Sequence, residues 1–115
     1  MKTVSNLLNI AHRGCTKKNK YADNSMKAFQ RAIRKNYDGF ELDIYLTADR
    51  VPVLIHEKGQ CVGNVELINQ STGLSEVIKL KEKSYAELKN YLLLDQIQKI
   101  SSFYEIIDEF GHFPI

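Results

Sequence analysis

The sequence predicts an α/β fold. Three observations carry that prediction. An apolar run at residues 7–11, LLNIA, is followed by an amphipathic segment and then by a second apolar run, the strand–helix–strand seed of an α/β unit. Two apolar stretches at 40–46 and 51–56 are separated by only four residues, Thr47 to Arg50, too few for a parallel crossover, so they form an antiparallel hairpin. Two Ser-x-x-Glu patterns, SYAE at Ser84 and SFYE at Ser102, are capping boxes that open helices.

Taken in order, residues 7–11 read as a buried strand ending at His12, and 14–21 as a polar loop. Asp23 or Asn24 is suited to cap the next helix, in which Met26, Phe29 and Ile33 recur at helical spacing. NYDG at 36–39 ends it. In the hairpin, a turn centred between Ala48 and Asp49 sets Leu42 against Ile55, Ile44 against Val53 and Leu46 against Val51. The other face then pairs Glu41 with His56, Asp43 with Leu54 and Tyr45 with Pro52, which gathers two acids and an imidazole on one side. Residues 57–80 read as a loop with few periodic apolar positions. The helix from Ser84 is expected to turn Leu88, Tyr91 and Leu92 inward, and the helix from Ser102 to turn Phe103, Ile106, Ile107 and Phe110 inward before Gly111 stops it. HFPI begins another strand, with His112 as a loop residue.

At 115 residues the chain is one domain at most. Sixteen Lys and Arg stand against fourteen Asp and Glu, and the small excess argues against a nucleic-acid partner. The basic cluster KKNK, Lys17 to Lys20, is a solvated loop next to HRG. Cys15 and Cys61 are too few for a disulfide framework and lack metal-ligand spacing, which suits a reducing compartment. No signal peptide or membrane span is expected, so the expected location is the cytoplasm and no stable membrane insertion is foreseen.

The ordered pattern His12-Arg13-Gly14, then Glu41-x-Asp43, then His56 at the end of VPVLIH, with ADNS at 22–25 and TAD at 47–49, resembles the glycerophosphodiester phosphodiesterase family. The resemblance covers essentially the whole chain. It implies a TIM (β/α)8 barrel, of which residues 1–115 would be the N-terminal portion, ending near the start of strand 4. It also implies a divalent metal, Ca2+ or Mg2+, and hydrolysis of glycerophosphodiesters to an alcohol and glycerol 3-phosphate, in lipid and glycerol metabolism. By the resemblance His12 and His56 are the acid–base pair, Arg13 contacts phosphate, Glu41 and Asp43 bind the metal, and Asn24 supports them. Glu57 stands where the family has Asp, and Arg50 replaces a turn glycine.

Elementary chemistry fits these roles. Hard carboxylate oxygens suit a hard cation that neutralises an anionic diester. Imidazole, with an unperturbed pKa of ~6.5, both accepts and donates near neutral pH. The nucleophile is either water or the substrate's neighbouring hydroxyl, through a cyclic phosphate. A third metal-binding glutamate is expected from the resemblance just beyond HFPI. The expectation is therefore a partial barrel with an open edge through which copies of the chain could associate. The competing reading is a non-catalytic remnant that binds metal or phosphate, or acts as an interaction module.

Overall fold

The computed structural model describes residues 7–17, 20–58 and 63–111. Cys61, His112 and the HFPI segment lie outside the described residues. Strand β1 (Ile10–His12), helix α1 (Met26–Arg34) and strand β2 (Gly39–Glu41) form the expected unit. The two strands pair in parallel, Ile10 with Gly39, Ala11 with Phe40 and His12 with Glu41. β1 is shorter than its apolar run, since Leu7 and Leu8 are exposed and only Ala11 of the strand is buried. Helix α1 turns Ala28, Phe29 and Ala32 inward. Phe29 stacks on Phe40 with ring centroids 4.4 Å apart, and Phe40 meets Phe110 edge-on at 5.5 Å, two arrangements that ring quadrupoles favour. The cap of α1 is Ser25, whose hydroxyl accepts the Ala28 N–H at 3.2 Å. Neither Asp23 nor Asn24 serves as the cap, and Asn24 is committed elsewhere.

Strands β3 (Ile44–Leu46) and β4 (Pro52–Leu54) make the antiparallel hairpin. Its register differs by one residue from the expected one: Ile44 faces Leu54, Tyr45 faces Val53 and Leu46 faces Pro52. The turn is the cause. The Arg50 N–H bonds to Thr47 O at 3.0 Å, the Thr47 N–H bonds to Val51 O at 3.1 Å, and Arg50 has φ +63. This is a three-residue loop closed by a left-handed residue, not a two-residue turn. The added residue moves every partner by one and exchanges the faces. Ile44 and Leu46, expected on an apolar face, are consequently 43% and 47% exposed. Strand β4 is buried on both sides: Val53 joins Ile55 in one core, and Leu54 enters the other with Phe29, Phe40 and Ile106. A strand covered on both faces carries no alternation from which register could be read.

The strand expected at 40–46 is interrupted between β2 and β3. There the Asp43 N–H donates to Asn24 Oδ1 at 2.9 Å, while the Asp43 carbonyl accepts the Ile55 N–H at 3.1 Å. The stretch expected to be a loop contains a second hairpin, β5 (Asn64–Asn69) and β6 (Ser75–Lys79), with β7 (Tyr91–Leu92) on the far side of β5. Val65 and Leu67 alternate into the core from β5, and Ile78 joins them from β6. Helix α2 (Tyr85–Leu88) has its capping box on Ser84 but lasts one turn, so Tyr91 and Leu92 belong to a strand and not to a helix face. Strand β8 (Ser101–Ser102) pairs with β4 and leads into α3 (Phe103–Phe110), capped by the expected box on Ser102. Ile106 and Phe110 are buried as expected, whereas Ile107 is exposed.

Candidate active site

The site is assembled from the ends of β1, β2 and β4 and the loop before α1. Parallel pairing sets His12 beside Glu41, with Nε2 3.5 Å from Oε1; both side chains are well exposed. Glu41 therefore faces His12, and not His56 as the expected hairpin register required. Arg13 follows with φ +57, and Gly14 with φ +87 packs so closely on Ala28 that a Cβ there would lie 2.8 Å from the Ala28 Cβ. Only glycine reaches that position without displacing α1.

Asn24 is the hub. It is fully buried, has φ +59, and bonds its own N–H to Arg13 O at 2.9 Å. Its amide clasps Asp43 at two points. Oδ1 accepts the Asp43 N–H at 2.9 Å, and Nδ2 donates to Asp43 Oδ2 at 3.0 Å. Arg13 completes the group, with Nε 3.2 Å from Asp43 Oδ2 and Nη1 3.5 Å from Asp23 Oδ2. Arg13 Nε is buried without an aligned hydrogen-bond acceptor, so the Asp43 contact is one of charge and not an aimed bond.

A cleft of about 500 Å³ opens beside this group, and Arg13, Tyr21, His56, Glu57, Leu94 and Asp95 are among the residues lining it. His56 Nδ1 lies 2.9 Å from Glu57 O. A carbonyl only accepts, so Nδ1 carries a proton, and in the neutral ring the lone pair lies on Nε2. Lys58 bonds to Glu66 at 3.1 Å across the cleft wall and holds that carboxyl below its ordinary range. Burial pushes the Asp95 carboxyl up, but N–H donors from Gln98, Ile97 and Ala22 outweigh it and leave Asp95 below the usual range. Of the sequence-predicted residues, the structure thus joins Arg13, Asn24 and Asp43 in one group, joins His12 with Glu41, and sets His56 with Arg13 on the cleft. Cys15 is half-buried and packs against the core that holds Ala11 and Phe29. Sequence reasoning passed over Asp95 and Gln98. Their D-x-x-Q spacing is a capping signature, here spent on a loop.

The donor set fits a hard divalent cation in chemistry but is incomplete. Among the described residues Asp43 makes its side-chain contacts through Oδ2, and Glu41 is engaged by the exposed His12. Among the described residues no group of three or more His, Cys, Asp and Glu side chains could hold a metal ion. Two carboxylates alone leave most of a six- to eight-oxygen shell to other donors. No helix among the described residues is long and apolar enough to cross a membrane.

A sequence model of the glycerophosphoryl diester phosphodiesterase family matches residues 12–109. A glycerophosphodiester phosphodiesterase of Bacillus altitudinis is 37% identical over 80 residues, covering 70% of this chain and 28% of its own. The crystal structure of a glycerophosphodiester phosphodiesterase from Parabacteroides distasonis superposes with a TM-score of 0.64 at 29% identity, over 88% of this chain and 36% of that one. A similar structure from Galdieria sulphuraria gives a TM-score of 0.70 at 21% identity, over 98% of this chain and 42% of that one, and at that identity it speaks to the fold alone. The chain thus spans less than half the length of the relatives it matches. The fold is the N-terminal part of a TIM barrel, and the barrel is not closed within these residues.

Proposed function

Because the chain belongs to the glycerophosphoryl diester phosphodiesterase family, we propose that it supplies the catalytic histidines and two metal-binding carboxylates of a phosphodiester hydrolase. The substrate is a glycerophosphodiester, cleaved to an alcohol and glycerol 3-phosphate. One observation carries the reading: Arg13, Asn24 and Asp43, from three separate segments, meet within 3.2 Å contacts beside the cleft that holds His56.

In this reading the planar fork of Arg13 turns from Asp43 and Asp23 to the phosphate oxygens once substrate enters. His56, with Nδ1–H fixed on Glu57 O, presents Nε2 to take the proton of the nucleophile, which is water or the substrate's neighbouring hydroxyl. In the second case a water then opens the cyclic phosphate to glycerol 3-phosphate. His12 gives a proton to the departing alkoxide, which is too basic to leave unassisted. Asn24 keeps the Asp43 carboxylate in one rotamer. Glu41 and Asp43 would hold a divalent cation, Ca2+ or Mg2+, with oxygen donors beyond these two completing its shell. When bound, it would neutralise the diester and polarise a phosphoryl oxygen. The two cysteines, too few for a disulfide framework, favour a reducing compartment such as the cytoplasm.

The test is release of glycerol phosphate from glycerophosphocholine by the protein and by its His12→Ala and His56→Ala variants. Each variant should lose about 10²–10⁴-fold in kcat with its fold intact. Near-parental turnover in either removes that histidine from the mechanism.

A further inference from the structure

The loop at 93–98 lines one side of the cleft, yet its polar groups are turned toward the segment that builds the site. Asp95 Oδ2 accepts the Ala22 N–H at 3.2 Å, across 73 positions of sequence, and the Gln98 side-chain amide at 2.6 Å. Gln98 Oε1 in turn accepts the Lys27 N–H at 2.9 Å. Lys27 lies in the first turn of α1, where backbone N–H groups have no partner within the helix. The loop is itself well fixed. Asp95 Oδ1 accepts the N–H groups of Ile97 and Gln98 at 2.9 and 3.0 Å, and the Leu93 N–H bonds to Gln98 O at 2.7 Å. Leu93 and Ile100 anchor it in the core. Both Asp95 oxygens and both ends of the Gln98 amide are thus occupied within the protein.

Ala22 and Lys27 bracket Asn24. Between them Asn24 is held at φ +59, a left-handed conformation that costs about 1–2 kcal/mol and persists only when its surroundings over-determine it. That conformation accompanies the delivery of both ends of the Asn24 amide to Asp43. Fixing the flanks of a strained residue fixes where its side chain goes.

We propose that Asp95 and Gln98 are positioning residues: they clamp segment 22–27 so that Asn24 holds Asp43 in the orientation the site requires. The consequence for catalysis rests on the phosphodiesterase reading; the clamping itself does not. Hydrogen exchange of the Asp43 amide, followed by NMR in the full chain, reads the clamp without substrate or metal. Gln98→Met keeps the length and bulk of the side chain and removes both of its bonds. In that variant, and in Asp95→Ala, exchange at Asp43 should rise at least about tenfold relative to the Asn69 amide, which bonds to Leu74 O in the separate β5–β6 hairpin. An unchanged ratio, whether both amides stay slow or both quicken together, overturns the proposal. Should Asp95→Ala fail to fold, Gln98→Met decides alone.

Kinetics give a second readout. Groups that orient metal ligands from outside are worth about 10–100-fold, and Gln98 acts one step further out. Gln98→Met should therefore lower kcat for glycerophosphocholine about tenfold with KM within about twofold. Asp43→Asn separates the two readings. If the parent releases no glycerol phosphate, the phosphodiesterase reading fails while the exchange result stands. If Asp43→Asn keeps full activity, the metal role of Asp43 fails and the exchange result again stands. If Asp43→Asn loses activity and Gln98→Met alters neither exchange nor kcat, the clamp fails.

Discussion

Replacing Asn24 by Ala should be among the most damaging single changes to this chain, although it removes only a small polar group. The side chain is fully buried and makes two bonds to Asp43, one to a backbone N–H and one to the carboxylate. Leaving the Asp43 N–H without its acceptor costs about 1–3 kcal/mol, and a hydrogen bond to a charged group contributes about 1.5–3. Alanine would also have to adopt the left-handed backbone of φ +59, which asparagine tolerates better by about 1 kcal/mol. Allowing for partial relaxation, the loss is about 3–5 kcal/mol. Unfolding entropy of ~2.1 cal/mol/K per residue over 115 residues converts this to a fall in Tm of about 12–20 °C. Asn24→Gly loses the same bonds without the backbone penalty, so it should melt above Asn24→Ala by about 4 °C. Thermal unfolding followed by circular dichroism measures both. An alanine variant melting within about 3 °C of the parent, or a glycine variant melting below it, would refute the hub role of Asn24.

Gly14→Ala should destabilise by about 3 kcal/mol in urea titration, since its Cβ would sit 2.8 Å from the Ala28 Cβ at φ +87. Arg50→Gly should act in the opposite direction. Relief of the φ +63 backbone exceeds the added chain entropy of glycine, so the unfolding free energy should rise by about 0.5–1 kcal/mol, read as a higher denaturation midpoint at constant m. Glu105 offers a pH test. Burial raises its carboxyl, but bonds from the Ser102 N–H and the Tyr85 hydroxyl, with Lys89 nearby, bring it below the ordinary glutamate range. A depressed folded value means stability that is fully present above the unfolded pKa and lost as pH falls through the folded one. Glu105→Gln should flatten that acid limb in a series of melts from neutral pH to pH 3; an unchanged slope would show that Glu105 does not contribute.

What could be read from the sequence was set by local chemistry, and what could not was set by tertiary partners. The two capping boxes at Ser84 and Ser102 are self-contained and appear as expected. The strand–helix–strand unit at the start follows from its own periodicity. Register in the β3–β4 hairpin was misread because VPVLI is apolar on both faces, so the pattern could not correct an assumed two-residue turn. The signal that fixes the register is Arg50, a non-glycine residue in left-handed backbone. The β5–β6 hairpin was missed although Val65 and Leu67 alternate and Gly73 supplies its turn with φ +75; sparse apolar residues in β6 hid the pattern. In the site, the residue types and their order were legible, but their pairing was not. His12 meets Glu41 through parallel pairing, and the Asp95–Gln98 clamp depends on contacts some seventy positions apart, which no local spacing reveals.

The most direct test of the account is glycerol phosphate release from glycerophosphocholine as Ca2+ or Mg2+ is titrated into chelator-treated protein, parental and Asp43→Asn. The parental rate should rise from background with added cation and return to background on chelation. Asp43→Asn should remain at least about a hundredfold slower at every cation concentration, since it loses a ligand charge at the metal. A parental rate that is undiminished in chelator, or an Asp43→Asn variant that matches the parent, would contradict the assignment of Glu41 and Asp43 as the metal-binding carboxylates of a phosphodiester hydrolase.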